Sequence, residues 1–100
     1  MKAKKYTVED LQRIIAPIAK KYHISAVYLF GSYARGDNDN ESDIDLRIDK
    51  GQLKGLFALG GFYNDVQEAL GMDIDVVTTG GLDDDFLSSI KKDEVQLYAA

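Results

Sequence analysis

Hydrophobic residues recur every three or four positions from Val8 to Tyr22, which is the spacing of one face of an α-helix. Thr7 stands immediately before this stretch and is a residue type that caps helix N-termini. The pattern therefore predicts a helix over residues 8–22. Pro17 lies inside it, and because proline cannot donate a backbone hydrogen bond, we expect a kink or an early break there.

The next two elements are predicted to be strands. Residues 26–30 form a continuous apolar run that ends at Gly31, which is typical of a buried strand followed by a turn. Residues 31–42 are polar and are expected to form a loop with room for one helical turn. Residues 43–49 alternate strictly between polar and apolar, which predicts a strand with one buried face.

The second half of the chain repeats this alternation of helix and strand. Residues 53–70 have helical character, closed by Gly71 as a C-cap, and residues 72–78 predict a third strand. Asp83 opens a short helix, and residues 95–98 are expected to end the fold as a strand. The order predicts an α+β fold with a mixed sheet and helices packed mainly on one face.

Length and composition narrow the class of protein. With 100 residues, the chain is expected to form one domain over residues 1–100. The sequence has no cysteine, which excludes disulfides, zinc thiolates and thiol catalysis and fits the cytoplasm. No apolar run approaches the roughly 20 residues that span a bilayer, so we expect no membrane association. The net charge of −5 argues against direct nucleic-acid binding.

Acidic residues on two predicted strands are candidates for a metal site. Asp43 and Asp45 share the polar face of their strand, about 6–7 Å apart by strand geometry. If the strand over 72–78 lies beside them, Asp75 joins the pair. Three convergent carboxylates repel one another unless a cation neutralises them, and hard oxygen ligands suit Mg²⁺. Two such ions, about 4 Å apart, can clamp the oxygens of a phosphoryl displacement.

A candidate phosphate site lies upstream of these acids. Gly31 follows a strand directly and has no Cβ, so backbone can approach an anion closely. A helical turn starting at Ser32 would direct free N–H groups at that anion, and the Ser32 hydroxyl adds a donor. Arg35 could add a guanidinium before Gly36 ends the turn.

Each of these candidate sites also has a less specific interpretation. A Gly-Ser after a strand is usually only a turn, and a D-x-D on a strand more often faces solvent. Arg47 shares the acidic face and is expected to steady Asp45 by a salt bridge, whereas His23 is expected to cap a helix or face solvent. The sequence does not decide whether Tyr33 belongs to the hydrophobic core or to the candidate site. Three aromatic residues on the third helix are open between core and a partner-binding face: Phe57, Phe62 and Tyr63.

The combination of motifs is far more specific than its parts. LFGSYARGDNDNESDIDLRID resembles the G-S-x(10)-D-x-D motif of the minimal nucleotidyltransferases, which belong to the DNA polymerase beta-like nucleotidyltransferase superfamily. GMDIDVVT resembles the strand that carries the third carboxylate in that family. Asp75, and not Asp73, is matched to this carboxylate because it directly precedes Val76-Val77.

The resemblance implies roles for the matched residues. Asp43 and Asp45 would bind Mg²⁺ with the triphosphate of ATP, and two ions are expected. Asp75 would hold the catalytic metal and help to activate an acceptor hydroxyl. Gly31 and Ser32 match residues that hold the phosphates, and Arg35 matches a basic position near them.

The resemblance also implies a biological role. Short members of the family are often the antitoxin of a pair whose toxin is a HEPN-domain RNase, and they adenylylate a toxin tyrosine with ATP. The short stretch after Asp75 hardly builds an acceptor pocket, so the partner is expected to supply that wall. Two alternatives stay open: a small-molecule adenylyltransferase of the antibiotic-modifying kind, acting as a homodimer, and a non-catalytic antitoxin acting by contact.

Overall fold

Helices and strands alternate along the chain in the computed structural model, which describes residues 6–39 and 41–100. In chain order they are α1 (Val8–Lys21), β1 (Ala26–Phe30), α2 (Ser32–Arg35), β2 (Ile44–Asp49), α3 (Gly55–Leu70), β3 (Ile74–Thr78), a 3-10 turn (Thr79–Gly81), α4 (Asp84–Lys91) and β4 (Val95–Ala99). None of the helices in these residues is long and apolar enough to cross a membrane.

The strands of the described residues form one sheet in the order β3-β2-β1-β4. β1 pairs antiparallel with both β2 and β4, whereas β2 and β3 run parallel. The sheet is therefore mixed, as predicted, and β3 and β4 are its edge strands. The parallel pair is connected through α3, the crossover that parallel neighbours need.

The core lies between one face of this sheet and helices α1 and α3. Alternate strand residues point to this face, since side chains on a strand project to opposite sides in turn. The largest fully buried side chains among the described residues are Leu11, Ile15, Ile24, Val27, Leu29, Ile44, Leu46, Ile48, Phe62, Val66 and Leu70. The opposite face carries the acidic residues and is partly covered by α4, whose Phe86 contacts Phe30 on β1. The predicted α+β architecture is confirmed.

Local capping interactions occur where the sequence predicts them. The Thr7 hydroxyl accepts a hydrogen bond from the Asp10 backbone N–H, and the Asp10 carboxylate accepts one from the Thr7 backbone, which forms a capping box. Gly71 ends α3 in the left-handed conformation at φ 67°. Asp83 caps α4 by accepting a hydrogen bond from the Phe86 backbone.

The expectation of an early break at Pro17 is wrong, because α1 continues without interruption to Lys21. Pro17 lies on the exposed side of the helix, while Leu11, Ile15 and Ala19 on the other side are fully buried. Burial of that face holds the helix together across the missing backbone donor. Helix α3 begins at Gly55, two residues later than predicted, and Asn40 of the predicted loop lies outside the described residues.

Candidate active site

The turn after β1 brings its backbone against an acidic side chain of β2. Gly31 has φ 77° and ψ −154°, a conformation that only glycine adopts readily. A Cβ atom at this position would lie 2.3 Å from the Asp45 Oδ2 atom. Two separate reasons therefore require glycine at position 31. Its backbone angles suit only glycine, and a side chain there would enter the space that the Asp45 carboxylate occupies.

Helix α2 follows Gly31 directly and carries two further candidate residues, Ser32 and Arg35. Ser32 begins the helix, and Gly36 ends it at φ 85°. The Arg35 Nε donates to the Asp37 carboxylate at 3.1 Å, and its guanidinium lies 4.0 Å from Asp93. The pKa of Arg35 is raised chiefly by Asp37, with smaller contributions from Asp93 and Asp45. The guanidinium thus lies among three carboxylates at one end of the acidic face.

The parallel pairing of β2 with β3 brings the predicted carboxylates together. Asp45 is the register partner of Asp75, so both side chains project from the same face of neighbouring strands. Asp43 precedes β2 and is exposed, as is Asp75, whereas Asp45 is partly buried. The predicted neighbourhood of Asp75 and Asp45, thirty residues apart in sequence, is present in the fold.

The local electrostatics of Asp45 reflect this crowding. Its pKa is raised from 3.8 to about 6, first by burial and then by the negative charges of Asp75 and Asp43. A hydrogen bond with Asp75 raises the pKa further, and Arg35 opposes these effects weakly. Asp45 thus carries an energetic cost when ionised, which a nearby cation would relieve.

The donor set fits a hard divalent cation. Carboxylate oxygens are the ligands that Mg²⁺ prefers, and their mutual repulsion is the feature that a bound cation removes. In the part of the chain that the structure describes, no three His, Asp or Glu side chains form a ready metal-ligand group. Mg²⁺ is usually held by one or two carboxylates together with substrate phosphates, which matches the close pair Asp45 and Asp75.

Arg47 differs from the sequence-based expectation, because it does not pair with Asp45. Its Nη2 and Nε atoms donate to the two Glu94 carboxylate oxygens at 2.7 and 3.0 Å. It also contacts Asp49 at 3.4 Å and stacks over the Tyr28 ring at 4.1 Å. Arg47 is 4% exposed, so this is a buried ion pair that fastens the segment before β4 to the acidic face.

The burial of two further residues decides between the roles that the sequence allowed for them. Tyr33 is part of the core, and its hydroxyl donates to the Met72 sulfur at 3.8 Å. His23 is exposed and adopts φ 59° after α1. Sequence reasoning missed Asp93 and Glu94 at the site, and no motif marks them, since they resemble ordinary acids in a loop.

Comparison with known proteins agrees with the fold. Residues 12–100 match the family model described as Polymerase beta, Nucleotidyltransferase. The MJ0435 protein of Methanocaldococcus jannaschii, named for a proposed protein adenylyltransferase activity, is 35% identical over 71 residues. That alignment covers 71% of this chain and 76% of the relative.

Two solved structures have the same fold. A toxin–antitoxin crystal structure with AMP-PNP superposes with a TM-score of 0.75 at 22% identity, covering 89% of this chain and 73% of that one. A complex of a tri-AMPylated Shewanella oneidensis HEPN toxin with its MNT antitoxin gives 0.70 at 19% identity, covering 94% and 74%.

The family match over residues 12–100 and the 35% identical relative define a nucleotidyltransferase, and the chain is therefore an enzyme of that class. It belongs to the polymerase beta nucleotidyltransferase family, and its structural neighbours include the minimal nucleotidyltransferases of toxin–antitoxin pairs.

Proposed function

We propose that this protein transfers AMP from ATP to a tyrosine hydroxyl of a HEPN-type toxin, with Mg²⁺, and so acts as its antitoxin. The observation that carries the proposal is the pairing of Asp45 with Asp75 beside the Gly31 turn. This pairing sets two carboxylates side by side, which suits a divalent cation, next to a turn whose backbone closely approaches Asp45.

The aspartates and the residues of the turn would bind different parts of the substrate complex. Asp43, Asp45 and Asp75 would hold the metal ions, which supply positive charge against the phosphates and the reacting hydroxyl. Gly31, Ser32 and Arg35 would hold the β- and γ-phosphates through backbone N–H groups, a hydroxyl and a guanidinium. The Ala34 and Arg35 N–H groups both donate to the Gly31 carbonyl at 3.1 Å, which fixes the start of α2 directly after the turn.

The transfer is a displacement at the α-phosphorus. The acceptor oxygen forms a bond to this phosphorus while the bond to the oxygen bridging the α- and β-phosphates breaks, and pyrophosphate leaves. The hydroxyl proton passes to the Asp75 carboxylate, which is exposed on the acceptor side. Arg35 stays on the pyrophosphate side, where its positive charge opposes the charge that builds on the leaving group.

The position of Asp75 favours a macromolecular acceptor. β3 is an edge strand of the sheet, and Asp75 is exposed on it, so a large partner can reach the carboxylate from outside. The protein relative named as an adenylyltransferase and the AMPylated HEPN toxin of the neighbouring complex are consistent with a protein acceptor.

The test is transfer in vitro to a co-purified HEPN-type partner with ATP and Mg²⁺, read by mass spectrometry as additions of AMP. Asp75→Asn should reduce transfer by a factor of 100 or more, as is typical for loss of one group in general acid–base catalysis (about 10²–10⁴-fold). Asp73→Asn is the matched control on the same segment and should transfer at the wild-type rate.

Two results would overturn the proposal. Neutralisation of the toxin that survives the double change Asp43→Asn and Asp45→Asn would mean that contact alone silences it. Efficient AMP transfer to small alcohols or aminoglycosides without any protein partner would instead identify a small-molecule enzyme.

A further inference from the structure

The first turn of α3 carries two large apolar side chains that the fold leaves uncovered. Leu56 is 84% exposed and Phe57 is 100% exposed, whereas Phe62 on the same helix is fully buried. Single exposed apolar residues are common on protein surfaces, but contiguous ones are typical of a surface that another molecule covers. The sequence did not decide whether Phe57 belongs to the core or to a partner-binding face, and its full exposure excludes the core.

The exposed face of α3 continues from Phe57 along the helix. Gly60, Asn64 and Glu68 follow Phe57 at intervals of three or four residues, so they share one side of the helix, and all of them are exposed. Glycine weakens a helix, yet no described atom lies within 4 Å of a Cβ built at Gly60 and so requires glycine there. A second helix packed on this face would give the glycine a role, because helices approach one another more closely where the side chains between them are small.

The charges at the two ends of α3 oppose the helix dipole. Lys54 is the N-cap residue and Glu68 lies in the last turn, and among the described residues neither forms an ion pair. A helix dipole is positive at the N-terminus and negative at the C-terminus, so both charges are on the unfavourable end. α3 has no acid in its first turn and no base in its last turn to balance them. A charge of opposite sign supplied from outside at each end would therefore stabilise the helix.

We propose that this face binds a second copy of the chain, with the two α3 helices packed antiparallel about a two-fold axis at Gly60 and Gly61. Lys54 and Glu68 lie at equal distances in sequence on either side of residue 61, so the axis brings Lys54 of each copy beside Glu68 of the other. Phe57 of each copy packs over the glycines of the other. A second copy fits this face better than a purely acidic or purely basic partner, because the face carries one charge of each sign.

The position of α3 keeps this interface apart from the candidate active site. α3 packs on the core face of the sheet, whereas Asp45 and Asp75 lie on the opposite face. A dimer formed through α3 therefore leaves both acidic faces open to an acceptor, and the second copy forms no wall of either site. The inference goes beyond the proposed transfer and does not depend on it.

The experiment is analytical ultracentrifugation of the full chain, without nucleotide, across a range of protein concentrations. Wild-type protein should pass from monomer to dimer as its concentration rises. Phe57→Ser should weaken this association about ten-fold or more, because truncation of a central interface aromatic commonly has an effect of that size. Gly60→Gln should also weaken it, because the new side chain has open space in the monomer but blocks close approach of the two helices.

Exchange of the two charges tests the antiparallel arrangement. Lys54→Glu and Glu68→Lys should each weaken self-association several-fold, because like charges then meet across the axis. A mixture of these two single variants should restore association, since the mixed dimer has opposite charges at both contacts. Lys92→Glu is the matched control, because Lys92 is an exposed lysine at the end of α4, and this variant should associate as the wild type does.

Three results would overturn the dimer. Wild-type protein that is monomeric at every concentration would show that a different molecule covers this face. Unchanged association of Phe57→Ser would place the contact between copies elsewhere. A mixture of Lys54→Glu and Glu68→Lys that associates no better than either variant alone would exclude the antiparallel pairing. Because nucleotide is absent from these measurements, failure of the proposed transfer would leave all of them unchanged.

Discussion

Asp45 on β2 is paired in parallel register with Asp75 on β3, and the negative charge of Asp75 contributes to a raised pKa of Asp45. The pKa of Asp45 is raised to about 6 by burial and by the charges of Asp75 and Asp43, so this carboxyl is largely protonated below that pH. Near neutral pH Asp45 is ionised, and its carboxylate is repelled by the charges of Asp75 and Asp43.

Asp45→Asn should therefore stabilise the metal-free protein, by about 1–2 kcal/mol at pH 8 once the shift is discounted for solvent screening. The folded pKa of about 6 exceeds the unfolded value near 3.8, so the folded state binds more protons between them. Wild-type stability consequently falls as pH rises through that window, and the advantage of the variant grows. Thermal denaturation of wild type and variant at pH 4 and at pH 8 measures both the fall in wild-type stability and the growing advantage of the variant.

Asp73→Asn is the control for this experiment, since Asp73 is exposed and does not contribute to the pKa shift of Asp45. It should change stability equally little at both pH values. A stability difference between wild type and Asp45→Asn that does not vary with pH would contradict the assignment.

The same carboxyl should give the reaction an acidic limit. Metal ligands must be deprotonated, so the transfer rate should fall as pH drops through about 6. Raising the Mg²⁺ concentration should move this fall to lower pH, because the ion competes with the proton for Asp45. Transfer rates measured at two Mg²⁺ concentrations across pH 5–8 test this competition between the ion and the proton. An acidic limit that stays at the same pH at both Mg²⁺ concentrations would refute it.

Gly31→Ala should reduce transfer strongly and destabilise the fold by about 1–3 kcal/mol. Its φ is 77°, and the new Cβ would lie 2.3 Å from Asp45 Oδ2, so the carboxylate must move. Gly36→Ala is the matched control, because Gly36 has φ 85° but no neighbouring atom within 4 Å of a Cβ. Gly36→Ala should lose a similar amount of stability through backbone strain but keep its transfer activity. Denaturation and transfer assays on the two variants measure these effects.

Arg47→Leu should cost about 3–5 kcal/mol of stability, because it leaves the Glu94 carboxylate without its charge partner in a site where Arg47 is 4% exposed. Urea denaturation measures the loss. Arg47→Leu combined with Glu94→Leu should lose less than the sum of the two single changes. Additive losses would contradict direct coupling of the pair.

A surface pair provides the comparison. Arg13 contacts Asp10 at 3.1 Å, but the Arg13 side chain is 70% exposed. Arg13→Gln should therefore change stability by less than about 1 kcal/mol in the same urea experiment.

Two adjacent glycines in α3 should respond in opposite ways to alanine. Gly60→Ala should stabilise the protein by about 0.5–1 kcal/mol, since a Cβ there meets nothing within 4 Å and alanine favours helices. Gly61→Ala should destabilise it, because a Cβ would lie 2.8 Å from the hydroxyl of Tyr22, the residue that caps the end of α1. Melting temperatures of the two variants decide this, and stabilisation by both would show that α1 and α3 do not approach closely.

Much of the fold could be predicted from the sequence because the relevant forces are local. The periodicity of apolar residues located α1, β1, β2 and α3 to within two residues, and Thr7, Gly71 and Asp83 marked helix ends through bonds to their own neighbours. The candidate acids could also be named, since a strand fixes which side chains share a face.

Other features depended on which segments meet in space. Arg47 has Glu94 as its partner, 47 positions away, because β1 lies between β2 and β4 and the segment before β4 returns over the acidic face. No local pattern distinguishes that acid from Asp45, which is nearer in sequence.

The contrast between two phenylalanines of α3 has the same origin. Phe57 is fully exposed, whereas Phe62 is fully buried against the core, although both belong to one apolar stretch. The sequence by itself determined the order of the elements and the residues on each strand face, because those follow from backbone geometry and neighbouring side chains. Only the tertiary structure decided the ion-pair partners, the raised pKa of Asp45 and the uncovered face of α3, because burial and electrostatic interactions depend on distances between segments that the chain brings together only on folding.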